Sequence, residues 1–136
     1  MTAPLRALLL PGAIAGFTVI AVMAQGNPEA AKVKNPVAST PESIAAGKPL
    51  FTRYCAPCHG INAEGGSGSD VSAPAPDLTD AEWTHGSTDG EIFYVIKNGI
   101  QPDLNMEPWG DRLKDPDIWN VVNYVKSLRK PVASSP

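Results

Sequence analysis

The sequence predicts an all-α domain of three to five helices. Three observations predict it. Apolar residues recur at helical spacing in Ile118, Val121, Val122, Val125 and Leu128, and again in Ile92, Phe93, Val95 and Ile96. Helix-start chemistry stands before each run, as Thr88 to Glu91 and as Asp115-Pro116-Asp117, with a further start at Thr40-Pro41-Glu42. No strand pattern competes with them. With 43% hydrophobic and 18% charged residues in 136, the composition is globular and leaves room for one domain at most. Fourteen prolines and twelve glycines place much of the chain in loops.

In chain order, residues 1–24 read as a signal peptide or membrane anchor. Arg6 is the only charge before Glu29, Ala7 to Ala24 is apolar except for Thr18, and Val22-Met23-Ala24 offers the small residues of a cleavage site. Pro11 and Gly12 weaken the run as an anchor, which favours cleavage. Either outcome exports the remainder. Residues 25–40, polar with Pro28 and Pro36, read as a flexible linker, which as a tether would reach about 20–25 Å.

The domain is expected over 41–130. Its first helix starts with Thr40 as cap and Pro41 at the first position, buries Ile44, Ala45, Leu50, Phe51 and Tyr54, and runs into Cys55. Pro49 lies inside it, so a kink or a later start is expected. Gly47, four residues before Phe51, suits a close helix crossing. Gly60 to Pro76 is a loop whose GGSGS stretch lacks the Lys of a phosphate cradle and reads as flexible surface. Thr79 to Glu82 has capping-box spacing before Trp83, which predicts a short helix. Thr88 to Glu91 opens another, closed by Asn98-Gly99. Gly99 to Leu113 is irregular. The last helix takes Asp115 as cap and Pro116 at its first position, and Pro131 closes it before a disordered tail over 131–136.

The chemistry centres on Cys55-Ala56-Pro57-Cys58-His59, which holds both cysteines of the chain. C-x-x-C-H is the attachment signature of a c-type haem. Two thiols one helical turn apart add across the two vinyl groups of one porphyrin, and the adjacent imidazole reaches the iron. A thioredoxin-like dithiol would need a βαβ context that is missing. A structural zinc site would want four ligands, and Cys55, Cys58, His59 and His85 are the whole supply, without a second pair at finger spacing. A plain disulfide between Cys55 and Cys58 is the remaining alternative.

The second axial ligand decides between electron transfer and chemistry at an open iron. Met106 is favoured, because it lies in an irregular Pro-rich loop 47 residues after His59 and is the only methionine beyond residue 24. Filling the core is its ordinary alternative. His85, beside Gly86, is the rival, with a surface role as its own alternative. A methionine sulfur favours the ferrous state, raises the potential and closes the iron.

With these residues in place the chain resembles a class I c-type cytochrome over about residues 42–130. The resemblance is closest to bacterial monohaem cytochromes c and to cytochrome subunits of dehydrogenases and oxidases. It is carried by Gly47 to Phe51, Cys55 to Gly60, Pro76-Asp77-Leu78, Asn98-Gly99, the Met106 loop, and Asp117-Ile118-Trp119 through Val125. It implies a small cytochrome c fold wrapped around one covalently attached haem c, with the N- and C-terminal helices crossing. It also implies that Cys55 and Cys58 hold the porphyrin and that His59 and Met106 ligate the iron. The Pro76 carbonyl would then accept the imidazole N–H, with Leu78 and Trp109 packing on the ring. Gly47 and Phe51 would cross the last helix near Val121 and Tyr124. Trp83 is a candidate donor to a haem propionate. Glu107 departs from the pattern, because proline often follows the methionine directly.

Between Gly60 and Asp117 stand 12 acids against 3 bases, Lys97, Arg112 and Lys114. That argues against nucleic acid, which needs a basic face. It also argues against a lysine ring at the haem edge. The expected function is an exported periplasmic electron carrier or electron-transfer subunit, not an enzyme. It would meet redox partner proteins such as a dehydrogenase, an oxidase or another cytochrome, with a membrane tether through residues 7–24 if the leader is retained. The alternative is a haem enzyme or sensor with a displaceable sixth ligand, peroxidase-like in chemistry, although no further distal His or Arg set supports it.

Overall fold

The computed structural model describes residues 26–66, 74–81, 83–102 and 104–130. Among them are five helices and no strand: α1 Pro28–Ala31, α2 Pro41–Tyr54, α3 Ala56–His59, α4 Asp89–Asn98 and α5 Asp115–Ser127. The all-α reading therefore holds. The leader at 1–24 and the tail at 131–136 lie outside the described residues. None of the described helices is long and apolar enough to cross a membrane.

The core is the crossing of α2 on α5. Gly47 lies so close to the Asn120 backbone that a Cβ would overlap it, and the same Cβ would come within 2.9 Å of Tyr124 Cβ. This approach lets Phe51 stack obliquely on Tyr124, with ring centroids 5.4 Å apart. Phe51, Ile118, Val121 and Val122 are fully buried there. Each such side chain contributes about 1.5–3 kcal/mol.

Helix starts follow local chemistry. The Thr40 hydroxyl accepts from Ser43 N–H at 3.3 Å, and Pro41 needs no partner for the N–H it lacks. Pro49 neither starts nor breaks α2, which is assigned as helix from Pro41 to Tyr54. Thr88 and Glu91 form both halves of a capping box, and α4 stops at Gly99, whose φ of 72° favours glycine. At α5 the cap is Lys114, one residue before the expected Asp115. The Asp115 carboxylate instead takes Lys97 at 2.7 Å, tying α4 to α5.

Two further expectations fail. The short helix after Thr79 is absent from the described residues: 78–81 form turns and bends, and Glu82 lies outside the description. The Asp77 carboxylate accepts from both Thr79 N–H, at 2.7 Å, and the Thr79 hydroxyl, at 2.6 Å. A side chain that satisfies the backbone locally competes with helix initiation. Nor is 26–40 a free linker, for it lies on the body of the domain. Asn35 Nδ2 donates to Asn123 Oδ1 at 2.8 Å, and Asn123 Nδ2 donates to Ser43 Oγ at 2.7 Å and to Val37 O at 3.2 Å. Gly90 of α4 lets α1 approach, because a Cβ there would overlap Ala30 O, and Val33 O just after α1 would lie 2.7 Å away.

Because Asn123 is only 3% exposed and serves three segments, Asn123→Leu is expected to lower stability by about 2–3 kcal/mol through its orphaned partners. Urea unfolding measures the loss. Limited proteolysis should then cut within 26–40 faster than in the parent.

Candidate functional site

A cavity of about 600 Å³ opens between α2, the 74–86 loop, α4, the Met106 loop and α5. That is a usual size for a small-molecule or cofactor site. Cys55, Cys58, His59, Pro76, Leu78, Met106 and Trp109 all line it, although 47 residues separate His59 from Met106.

The thiol segment is shaped by the end of α2. Cys55 caps that helix, its N–H donating to Phe51 O at 2.8 Å, and His59 N–H returns to Cys55 O at 2.9 Å. One turn therefore separates the thiols, both of which are free. Cys55 is 7% exposed, and burial, aided by the neighbouring Cys58, pushes its thiol up to about 12. Cys58 is exposed.

His59 is 8% exposed, and burial pushes its basicity down, opposed by a backbone contact to Pro76. Its Nδ1 lies 3.4 Å from Pro76 O, at the long end for a hydrogen bond. A carbonyl can only accept, so the proton belongs on Nδ1 and Nε2 keeps its lone pair. That is the neutral form in which imidazole binds a metal.

The Pro76 carbonyl is held in place by a segment the sequence presented as mere flexible surface. Gly66 N–H donates to Ala75 O at 3.0 Å, and Leu78 N–H donates to Ala63 O at 2.8 Å. Gly65, with φ of 75°, lies so near that a Cβ would meet Ala75 O at 2.6 Å and Pro76 C at 2.7 Å. Gly65 is thus a positioning residue missed from sequence. Its signal was a glycine pair six residues after the histidine, buried inside a loop of similar residues.

Met106, half-buried, belongs to a loop fastened to the end of α4. Ile100 N–H donates to Met106 O at 3.0 Å, and Trp109 N–H donates to Ile96 O at 2.9 Å. Trp109 packs on Tyr54 with centroids 5.5 Å apart, and the Arg112 guanidinium lies 4.9 Å from its ring centroid. Glu107, the departure from the expected pattern, pairs with Arg112 at 3.4 Å. Trp83 lines the cavity, but its N–H donates to Asp80 O at 3.0 Å. The candidate role of Trp83 as a propionate donor is therefore corrected: a backbone carbonyl already holds that proton. His85 is exposed and lines the same cavity as Met106.

These residues fit a c-type haem. The walls are mainly apolar, and two thiols one turn apart, an imidazole and a thioether all line the same space. Among the described residues no group of three or more His, Cys, Asp or Glu side chains converges on a point where a metal ion alone would sit.

Comparison with known proteins agrees. The family model described as cytochrome C oxidase, cbb3-type, subunit III matches residues 42–125. The chain is 39% identical over 93 residues to the cbb3-type cytochrome c oxidase subunit CcoP of Rubrivivax gelatinosus, covering 68% of this chain and 28% of that one. It is 38% identical over 90 residues to subunit FixP of Azorhizobium caulinodans, covering 62% and 29%. The chain thus spans less than a third of the length of these relatives. Among solved structures it is similar to cytochrome cL of Methylophaga aminisulfidivorans, with a TM-score of 0.55 at 27% identity, covering 65% of this chain and 55% of that one.

Proposed function

This chain belongs to the cytochrome c oxidase cbb3-type subunit III family, and from that premise we propose that it passes single electrons through one haem c ligated by His59 and Met106. The observation that carries the proposal is the meeting of His59, Met106 and both thiols in one apolar cavity. When bound, the haem supplies a one-electron iron couple.

The chain's own residues do the rest. Cys55 and Cys58 tether the porphyrin. His59 offers Nε2, while the Pro76 carbonyl at Nδ1 fixes the ring plane and raises the basicity of the ligand. Met106 would supply its sulfur as the second ligand, which would bias the site toward the ferrous state and keep small molecules off the iron. Ile92, Ile96, Val121 and Val125 give the cavity apolar walls.

The domain works outside the cytoplasm, in the periplasm, exported by residues 1–24 as a cleaved signal or retained anchor. Its partners are redox proteins: a dehydrogenase, an oxidase or another cytochrome. The relatives named above are themselves oxidase subunits. The two acids that line the cavity are each answered, Asp77 by Lys130 at 3.8 Å and Glu107 by Arg112 at 3.4 Å. Exposed Leu104 lies on the same lining. The contact is accordingly a small, partly apolar one, weak and short-lived.

Potentiometric titration of the exported protein tests the proposal. A single one-electron wave is expected, with haem remaining on the chain after denaturation. Haem that separates from the unfolded chain, or no haem at all, would refute it.

A further inference from the structure

Pro76, Asp77, Leu78 and Trp83 line the cavity from a stretch whose described residues form no helix. Much of what holds that stretch comes from the far end of the chain. Beyond Ser127 the backbone makes one more turn, Arg129 N–H donating to Lys126 O at 3.3 Å, and this brings 129 and 130 against the wall. Lys130 N–H donates to Thr79 O at 2.9 Å. The Arg129 guanidinium donates from Nη2 to Ala81 O, and it lies 5.1 Å from the centroid of the Trp83 ring. One side chain thus holds two points of the turn.

A plainer role competes with this one, because a cation just past a helix gains from the helix dipole wherever its side chain lies. Lys130 is such a cation. Its Nζ stands 3.8 Å from Asp77 with 68% of the side chain exposed, and a pair of that kind contributes little. Arg129 differs, for it is half-buried and makes two contacts at once. A planar guanidinium can donate from its edge while its face covers an aromatic ring.

We propose that Arg129 is a positioning residue for His59: by holding the turn at Ala81 and Trp83 it keeps the Pro76 carbonyl on His59 Nδ1. The proposal deepens the haem reading above and rests on it. Arg129 does not itself line the cavity, so it reaches the site only through the residues it holds. The path is short. Asp77, next to Pro76, binds Thr79 through its N–H at 2.7 Å and its hydroxyl at 2.6 Å, and Ala81 follows two residues on. Pro76 O lies 3.4 Å from His59 Nδ1, so any further retreat of the carbonyl takes it out of hydrogen-bond range. The Nδ1 proton would then be left to water, and the ring would lose the partner that fixes its orientation.

Hydrogen exchange in the reduced, haem-loaded protein tests this, with the His59 Nδ1–H and the backbone amides read by NMR. Arg129→Ala is expected to speed exchange of the Nδ1–H about tenfold or more, the scale of one lost hydrogen bond from a charged donor. The Leu78 amide, which donates to Ala63 O in the same wall, should speed up with it. The amides of Val121 and Val122, in the crossing of α2 on α5, should stay within about twofold of the parent, because they open only with the whole fold. Lys130→Ala removes a cation from the same end of α5 and should leave the Nδ1–H at the parent rate. An Nδ1–H that exchanges at the parent rate in Arg129→Ala overturns the proposal. So does one accelerated no more than the core amides, the mark of plain destabilisation, or one accelerated equally by Lys130→Ala. These results leave the haem reading standing, whereas parent protein without haem absorbance overturns both.

Discussion

Met106→Ala is expected to lower the reduction potential by a few tenths of a volt, within the roughly 0.8 V that axial ligands span. The haem should stay attached, because Cys55, Cys58 and His59 are untouched. On the proposed ligation, a soft sulfur would give way to water or to an added ligand. Added imidazole should therefore bind the variant readily and the parent poorly. The fastening of the loop supports this expectation. The backbone of Met106 is held by Ile100 N–H, and that of Trp109 by Ile96 O, so the loop keeps its course when the side chain is cut back. His85 makes the outcome discriminating, since it lines the same cavity. Were His85 the ligand, Met106→Ala would leave the potential nearly unchanged, and His85→Leu would cause the large drop instead.

Gly47→Val should be the most destabilising single change at the helix crossing. Two effects oppose each other. Replacing a mid-helix glycine gains a few tenths of a kcal/mol in helix propensity. Against it, the new side chain enters space held by the Asn120 backbone and by Tyr124 Cβ. Backbone cannot rotate aside, so overpacking of about 2–3 kcal/mol wins. Guanidinium unfolding should show the midpoint falling at unchanged slope. Lys48→Val, on the exposed neighbour, should change stability by no more than about 0.5 kcal/mol. Because Cys55 caps the same helix, the loosened crossing should also lower the yield of haem-loaded protein.

Most of the fold was legible because its signals are local. Thr40 with Pro41 and Thr88 with Glu91 state in four residues where a helix starts, and the structure obeys both. Gly47 and Phe51 were legible through a resemblance that put the crossing near Val121 and Tyr124; the structure sets Gly47 against Asn120 and Tyr124, and Phe51 against Tyr124. The failures share a different cause. Thr79 to Glu82 carried a capping box as good on paper as the one at Thr88, yet the Asp77 side chain reaches Thr79 first. Asp115 looked like a cap, but Lys97, 18 residues earlier, takes its carboxylate. Residues 26–40 looked like a linker because what holds them is Asn123, over 80 residues away. No local pattern encodes such partners.

The site divides in the same way. Cys55, Cys58, His59 and Met106 were singled out from their own chemistry, and Pro76, Leu78 and Trp109 through the resemblance; all seven line one cavity. Gly65 was not named, because its role appears only when the chain returns at Pro76. Trp83 was misread because its N–H finds Asp80 O, a bond set by the turn after Leu78.

The absorption spectrum of the ferric protein, produced with the haem-attachment machinery, tests the central claim most directly. A low-spin haem with a methionine-to-iron charge-transfer band is predicted, present in the parent and in His85→Gln alike. A high-spin ferric spectrum in the parent, or a band that depends on His85 rather than Met106, would contradict it.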